Sequence, residues 1–190
     1  MKAREFLDAI MIAEKLKDTT RHCYTAKGRH ESVAEHSWMM TLMAFFMRDE
    51  FPEVDMDKVI RMCIIHDLGE CFTGDIPTFD KNQTHEEIEE KLLHNWVSSL
   101  PENYAIEMRD LYKEMSERET QESKIYKAID NLEALIQHNI SDISTWIPKE
   151  FELNLTYADD KVQFSDYLKI LRQTIREDTI KKIESEKPIK

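Results

Sequence analysis

The stretch KVIRMCIIHDLGECFTGD, Lys58 to Asp75, decides the fold. Val59, Met62, Cys63 and His66 recur at the i, i+3, i+4, i+7 spacing of one helical face, and Ile60, Ile64 and Asp67 fall beside them, about 100° around the axis. A segment that is apolar nearly all round is a central, buried helix. The pattern predicts one launched from Asp55 or Asp57 and running through Leu68, with Gly69 stopping it as a glycine C-cap. His66 and Asp67 therefore sit side by side at a buried helix end. An ionised carboxylate taken out of water without a partner costs roughly several kcal/mol, so this helix end asks for a cation. Gly69 and Gly74, two of the chain's three glycines, give the loop beyond it backbone freedom.

Working outward, Ser32 and Glu35 form a capping box that predicts a helix from about Val33 to Asp49. Before it, residues 3 to 17 carry Phe6, Leu7, Ile10 and Leu16 at helical spacing, and a polar loop containing Gly28 follows. Downstream, Thr84 with Glu87 reads as a second capping box, for a helix through about Ser99, and further helices are expected at about 102 to 117, 120 to 141 and 163 to 183. FELNLTY, 151 to 157, gives the one weak hint of strand alternation. The expected fold is all-α: a compact helical bundle of one domain over residues 1–190, with its core in about 5–140 and with 141–190 packing on that core.

Composition agrees with helices. Three glycines and five prolines leave little material for tight turns, while 41% hydrophobic and 34% charged residues suit a globular chain. The net charge of −12 argues against a nucleic-acid polymer or an anionic membrane as partner, since those are held by clustered Lys and Arg. No signal-peptide core and no run near the roughly 18 apolar residues of a membrane span is present. Cys23, Cys63 and Cys71, odd in number and widely spaced, read as reduced thiols of a cytoplasmic protein.

Among residues that could carry chemistry, His36 shares a helix face with Met40, Met43 and Met47 and so points toward the core. By itself it reads as a core histidine hydrogen-bonded to a carbonyl, and the methionines read as packing. Two histidines and an aspartate from two helices nevertheless make a start on a divalent metal site. The fourth ligand is open among Glu70, Asp75, Asp80 and Asp130, and periodicity alone leaves Asp130 solvated, off the stripe of Ile125, Ile129, Leu132 and Ile136.

The motifs ESVAEHSW (31 to 38), HDLGE (66 to 70) and KAID (127 to 130), in this order and each on a predicted helix, resemble the His, His-Asp, Asp pattern of HD-domain metal-dependent phosphohydrolases. The spacing from SVAEHS through HDLGECFTGD is most similar to the 5′-deoxynucleotidase subfamily and the related oxetanocin phosphohydrolase. The resemblance implies His36, His66, Asp67 and Asp130 as ligands of one divalent metal ion (Mn, Co, Fe, Zn, Ni or Mg). It implies Glu70 and Asp75 as catalytic acids, orienting water and assisting proton transfer or contacting the sugar. Arg21 occupies the place of a phosphate-binding Arg; His22 follows where the subfamily has Trp, and Arg29 and His30 are alternative phosphate or sugar contacts, with an exposed loop charge as the plainer reading of each. Dinuclear relatives add two histidines between the His-Asp pair and the last Asp, an order that His85 and His94 allow, although His85 reads as surface.

The function implied is removal of the 5′-phosphate from nucleoside monophosphates, deoxyribonucleotides above all, by metal-activated water. A phosphodiesterase, a nucleoside polyphosphate hydrolase and a catalytically silent HD-fold binding module are the alternatives. The implied partners are a small-molecule nucleotide or other phosphate monoester and a second copy of the chain in a homodimer.

Overall fold

The capping box forms as the sequence dictates. Glu35 N–H donates to Ser32 Oγ (3.3 Å), and Ser32 N–H donates back to the Glu35 carboxylate (3.0 Å). This reciprocal cap opens a helix in a computed structural model that describes residues 1–77 and 82–185. The elements in chain order are α1 (Ala3–Ala13), β1 (Thr20–Tyr24), β2 (His30–Ser32), α2 (Val33–Phe46), α3 (Met56–Ile65), α4 (Glu70–Thr73), α5 (Gln83–Ser99), α6 (Glu102–Glu117), α7 (Gln121–Ile140), α8 (Pro148–Thr156) and α9 (Asp166–Ser185). Short 3₁₀ turns lie at Glu14–Lys17, Arg48–Glu50 and Ile143–Thr145.

The core is built around α7. Its Ile125, Ala128, Ile129, Leu132 and Leu135 pack with Met40 and Ala44 from α2 and Met47 just past its end, with Val59, Met62 and Cys63 from α3, and with Leu168 and Ile175 from α9. The methionine stripe is thus packing, and α3 is the buried helix its composition required. A smaller cluster joins Leu16, Val33, Leu68 and Cys71.

Where α3 ends, the structure differs from the glycine C-cap expected at Gly69. The helix stops at Ile65 because its last carbonyls are taken by side chains: the His66 ring faces the Cys63 carbonyl through Nδ1 (2.9 Å), and the Tyr112 hydroxyl donates to the Ile65 carbonyl (2.6 Å). A tight turn then carries the chain into α4, with Gly69 in ordinary right-handed backbone (φ −58°). Gly74 is the glycine that ends the turn. It closes α4 at φ 77°, ψ 167°, a conformation almost reserved for glycine, and donates its N–H to the Glu70 carbonyl (2.9 Å).

Other expectations are also corrected. The segment before α2 is an antiparallel ribbon, β1 with β2, pairing Thr20 with Ser32 and Tyr24 with His30, and tied to α7 by Gln137 Nε2 donating to the Tyr24 carbonyl (2.6 Å). The cap of α5 is Asn82, whose side chain accepts from His85 N–H (3.1 Å), so Thr84 lies inside the helix. FELNLTY lies mostly in α8, launched by Pro148 in its first turn and by Glu150, which accepts from Ile147 N–H (2.8 Å). Buried Arg172 fastens α9 to α8 by donating to the carbonyls of Tyr157 (2.8 Å) and Asn154 (3.2 Å). The apolar residues of α1 find no full cover: Phe6, Leu7, Ile10 and Met11 remain exposed. No helix among the described residues is long and apolar enough to cross a membrane.

Candidate metal centre

Two helices and one turn bring four of the expected residues together. His36 comes from the first turn of α2, His66 and Asp67 from the turn that ends α3, and Asp130 from the middle of α7. His66 Nε2 lies 2.9 Å from Asp67 Oδ2 and 4.0 Å from Asp130 Oδ1; His36 Nε2 lies 3.3 Å from Asp130 Oδ1 and 3.9 Å from Asp67 Oδ2. The two imidazoles meet edge to face, centroids 5.2 Å apart.

The other ring nitrogens set the chemistry. His66 Nδ1 faces a carbonyl, which can only accept, and His36 Nδ1 faces the carboxylate of Glu133, which is fully buried. Each Nδ1 therefore carries a proton, and Nε2 is the nitrogen each ring turns inward, the one that can offer a lone pair to a cation. Both Nε2 atoms are buried and neither has a well-aligned hydrogen bond among the described residues, despite the nearby carboxylates. Ring nitrogens and carboxylate oxygens facing one another need positive charge between them, which a cation supplies. Two imidazoles and two carboxylates also offset a divalent charge. The donor set and the orphaned nitrogens fit a divalent metal ion.

Asp130, which periodicity left in water, is thus turned inward. Lys127, one turn earlier on α7, reaches its Oδ2 (2.5 Å), which leaves Oδ1 toward the histidines. Asp80 lies outside the described residues. His85 and His94 lie on α5, and neither joins the His36, His66 and Asp67 group.

A cavity of about 340 Å³ opens over Asp67 and Asp130. Arg21, His22, Glu70 and Asp75 line it, so both expected acids and two of the expected substrate contacts face this space. Arg21 Nη1 lies 3.7 Å from Asp67 Oδ2, while its Nε lies 3.3 Å from buried Glu31. Burial, and then the charges of Asp67 and Asp75, push the Glu70 carboxyl up to about 9, and burial likewise raises Asp75. Arg29 is not brought here: its guanidinium pairs with both Glu35 oxygens on the exposed surface. His30 is also exposed, its Nδ1 2.9 Å from the Arg21 carbonyl.

Several residues at the site were not singled out in the sequence. Glu133 is the most important, and its signal was available, because Asp130 and Glu133 stand three apart and so share a face of α7. Arg118, Lys127, Asn154 and Tyr157 also line the cavity. Arg118 does so from left-handed backbone (φ 55°) just past α6, a conformation no residue pattern announced.

Two helices and a helix-ending turn presenting His, His-Asp and Asp to one point is the arrangement of the HD domain, and the chain belongs to that family, whose model matches residues 13–176. Among its relatives is the 5′-deoxynucleotidase HDDC2 of Xenopus laevis, 32% identical over 139 residues that cover 70% of this chain and 68% of that protein. In three dimensions it is similar to a predicted metal-dependent phosphohydrolase of Magnetospirillum magnetotacticum MS-1 (TM-score 0.79, 26% identity, covering 94% of this chain and 93% of that one). It shares its fold with the cyanophage S-2L HD phosphohydrolase DatZ, solved with dA and one catalytic Zn²⁺ (TM-score 0.58, 18% identity, 96% and 98% covered).

The hydrogen bond from His36 to Glu133 predicts how metal affinity responds to a buried partner. Glu133→Gln removes the charge that holds the Nδ1 proton, and affinity for Mn²⁺, read by calorimetry on chelator-stripped protein, is expected to fall about 10- to 100-fold. An unchanged affinity would mean that Glu133 only packs.

Proposed function

We propose that this protein is a divalent-metal-dependent phosphohydrolase that removes the 5′-phosphate of nucleoside monophosphates, deoxyribonucleotides above all. The observation that carries this reading is the convergence of two inward Nε2 lone pairs and two carboxylates beneath a cavity edged by Arg21. Similarity to 5′-deoxynucleotidases supports the substrate class. At about 340 Å³ the cavity falls within the range of small-molecule sites.

His36, His66, Asp67 and Asp130 hold the metal ion in this reading. A divalent cation there polarises a phosphoryl oxygen and lowers the pKa of the attacking water. Arg21, fixed between Asp67 and Glu31, presents its fork to the phosphate, and Arg118 and Lys127 add positive charge to the same space. Glu70 orients the water: its Oε2 is buried and makes no hydrogen bond among the described residues. Asp75, whose carboxyl is raised by burial, delivers a proton to the departing 5′ oxygen as its bond to phosphorus breaks and the water oxygen bonds in its place. His22 lines the same cavity.

We further assign one HD-type unit, in which residues 141–185 belong to the same core through Leu168 and Ile175 of α9. The free, buried thiols Cys23, Cys63 and Cys71 support a cytoplasmic location. A homodimer is supported by the uncovered face of α1, with exposed Trp38 and Ile64 nearby on the surface groove beside Leu16.

The direct test is a phosphate-release screen of nucleoside mono-, di- and triphosphates over a metal panel. Turnover of deoxynucleoside monophosphates is expected; phosphate release from none of them, with metal bound, would refute the reading, and exclusive turnover of polyphosphates would move the assignment to that alternative. Asp67→Ala should lose metal and turnover together. Glu70→Gln should keep the metal and lower kcat by about 10²- to 10⁴-fold, whereas Arg21→Ala should act chiefly on KM. A fully active Glu70→Gln enzyme would remove that residue from the mechanism. Light scattering after gel filtration is expected to give twice the chain mass, and Ile10→Glu to give the monomer; a monomeric wild type would contradict the dimer.

A further inference from the structure

A second group of donors lies at the edge of the same cavity and shares no residue with the first. His22 and Cys23 come from β1, His138 from the last turn of α7 and Glu150 from the first turn of α8. His138 Nε2 is 3.5 Å from Cys23 Sγ and 3.7 Å from Glu150 Oε1, and His22 Nε2 is 3.8 Å from the same sulfur and 3.3 Å from the same oxygen. The sulfur and the two nitrogens all lie within 4.8 Å of one another. Cys23, His138 and Glu150 are buried, at 1%, 7% and 3% exposure.

The geometry points to a second metal site formed by His22, Cys23 and His138, with the Glu150 carboxylate beside the two imidazoles, selective for a thiophilic divalent cation such as Zn²⁺. Bonds of about 2.0–2.1 Å to nitrogen or oxygen and about 2.3 Å to sulfur, at tetrahedral angles, place nitrogen about 3.4 Å from oxygen and about 3.6 Å from sulfur. The two nitrogen–sulfur separations, 3.8 and 3.5 Å, fall within about 0.3 Å of that edge. The two carboxylate-to-imidazole distances are also longer than ordinary hydrogen bonds.

The surroundings are those of a ligand set. Glu150 commits its other oxygen, Oε2, to the Ile147 N–H (2.8 Å), which turns Oε1 toward both imidazoles. A thiolate and a carboxylate offset a divalent charge, and sulfur among the donors favours Zn²⁺ over Mn²⁺ or Mg²⁺. Cys23 and His138 are buried inside the fold, as the ligands of a structural site are. The site ties the ribbon, α7 and α8 together, and α8 carries Leu153 and Asn154 on the cavity wall. The inference holds whatever the first centre hydrolyses.

Co²⁺ is the probe, because a cobalt–thiolate bond gives a near-ultraviolet charge-transfer band that the sulfur-free first centre cannot produce. Chelator-stripped wild-type protein is expected to take up two equivalents per chain and to show this band. Cys23→Ser should lose the band and one equivalent, and Zn²⁺ should raise its melting temperature less than that of the wild type. The Asp67→Ala chain, with the first centre disabled, should keep the band at one equivalent. A wild-type chain that saturates at one equivalent without the band overturns the proposal. So does a band that survives Cys23→Ser, or a Cys23→Ser chain that keeps both equivalents and changes only KM, which would make the cluster a substrate contact.

Discussion

Everything at the candidate centre depends on which nitrogen of each histidine carries its proton. His66 gives its Nδ1 proton to the carbonyl of Cys63, in its own helix, and His36 gives its own to Glu133, 97 residues further along the chain. A buried imidazole held in this way has one orientation and one tautomer, and its second nitrogen must find an electrophile or remain unsatisfied. The first of these bonds also shapes the backbone. By occupying the Cys63 carbonyl it ends α3 where it does, and the released turn presents Asp67 and then Glu70 to the same space.

α7 couples this local chemistry to global stability. One side supplies Ile125, Ile129 and Leu132 to the core, and another supplies Lys127, Asp130 and Glu133 to the centre. Burying three charged groups on one helix is costly unless each is paired. Here Lys127 meets Asp130 and Glu133 meets His36, so each charge of the polar face has a partner within the chain, while both inward nitrogens lack a hydrogen bond among the described residues. The acidic lining has a further effect. With Glu70 raised to about 9, first by burial and then by the charges of Asp67 and Asp75, the cavity keeps a proton on one of its acids near neutral pH. That limits its negative charge toward an anionic phosphate.

Much of this was legible in the sequence. The helical fold followed from periodicity and capping boxes, and the cost of an isolated Asp67 already required a cation at the end of α3. Asp130 was not legible from its own helix. Periodicity separates a main stripe from the remainder, and on a helix buried on several sides the remainder is not solvent; the motif resemblance, not the spacing, placed it. The β1–β2 ribbon escaped because Thr20–Tyr24 is short and its sides do not alternate in polarity. FELNLTY looked weakly strand-like because tertiary packing, which decides a helix of nine residues, leaves little trace in so short a run. Arg29 had the right charge in the right loop, but Glu35 was nearer.

The central claim is that His36 and His66 aim Nε2 lone pairs at a common divalent cation, and imidazole nitrogen NMR measures this most directly. Correlations through two bonds in chelator-stripped protein report which nitrogen of each ring is protonated, and repetition with Zn²⁺ reports which one binds. The account predicts protons on Nδ1 of both rings throughout, with the Nε2 resonances of both shifting when Zn²⁺ is added. Protons on Nε2, or Nε2 resonances that ignore the metal, would contradict it.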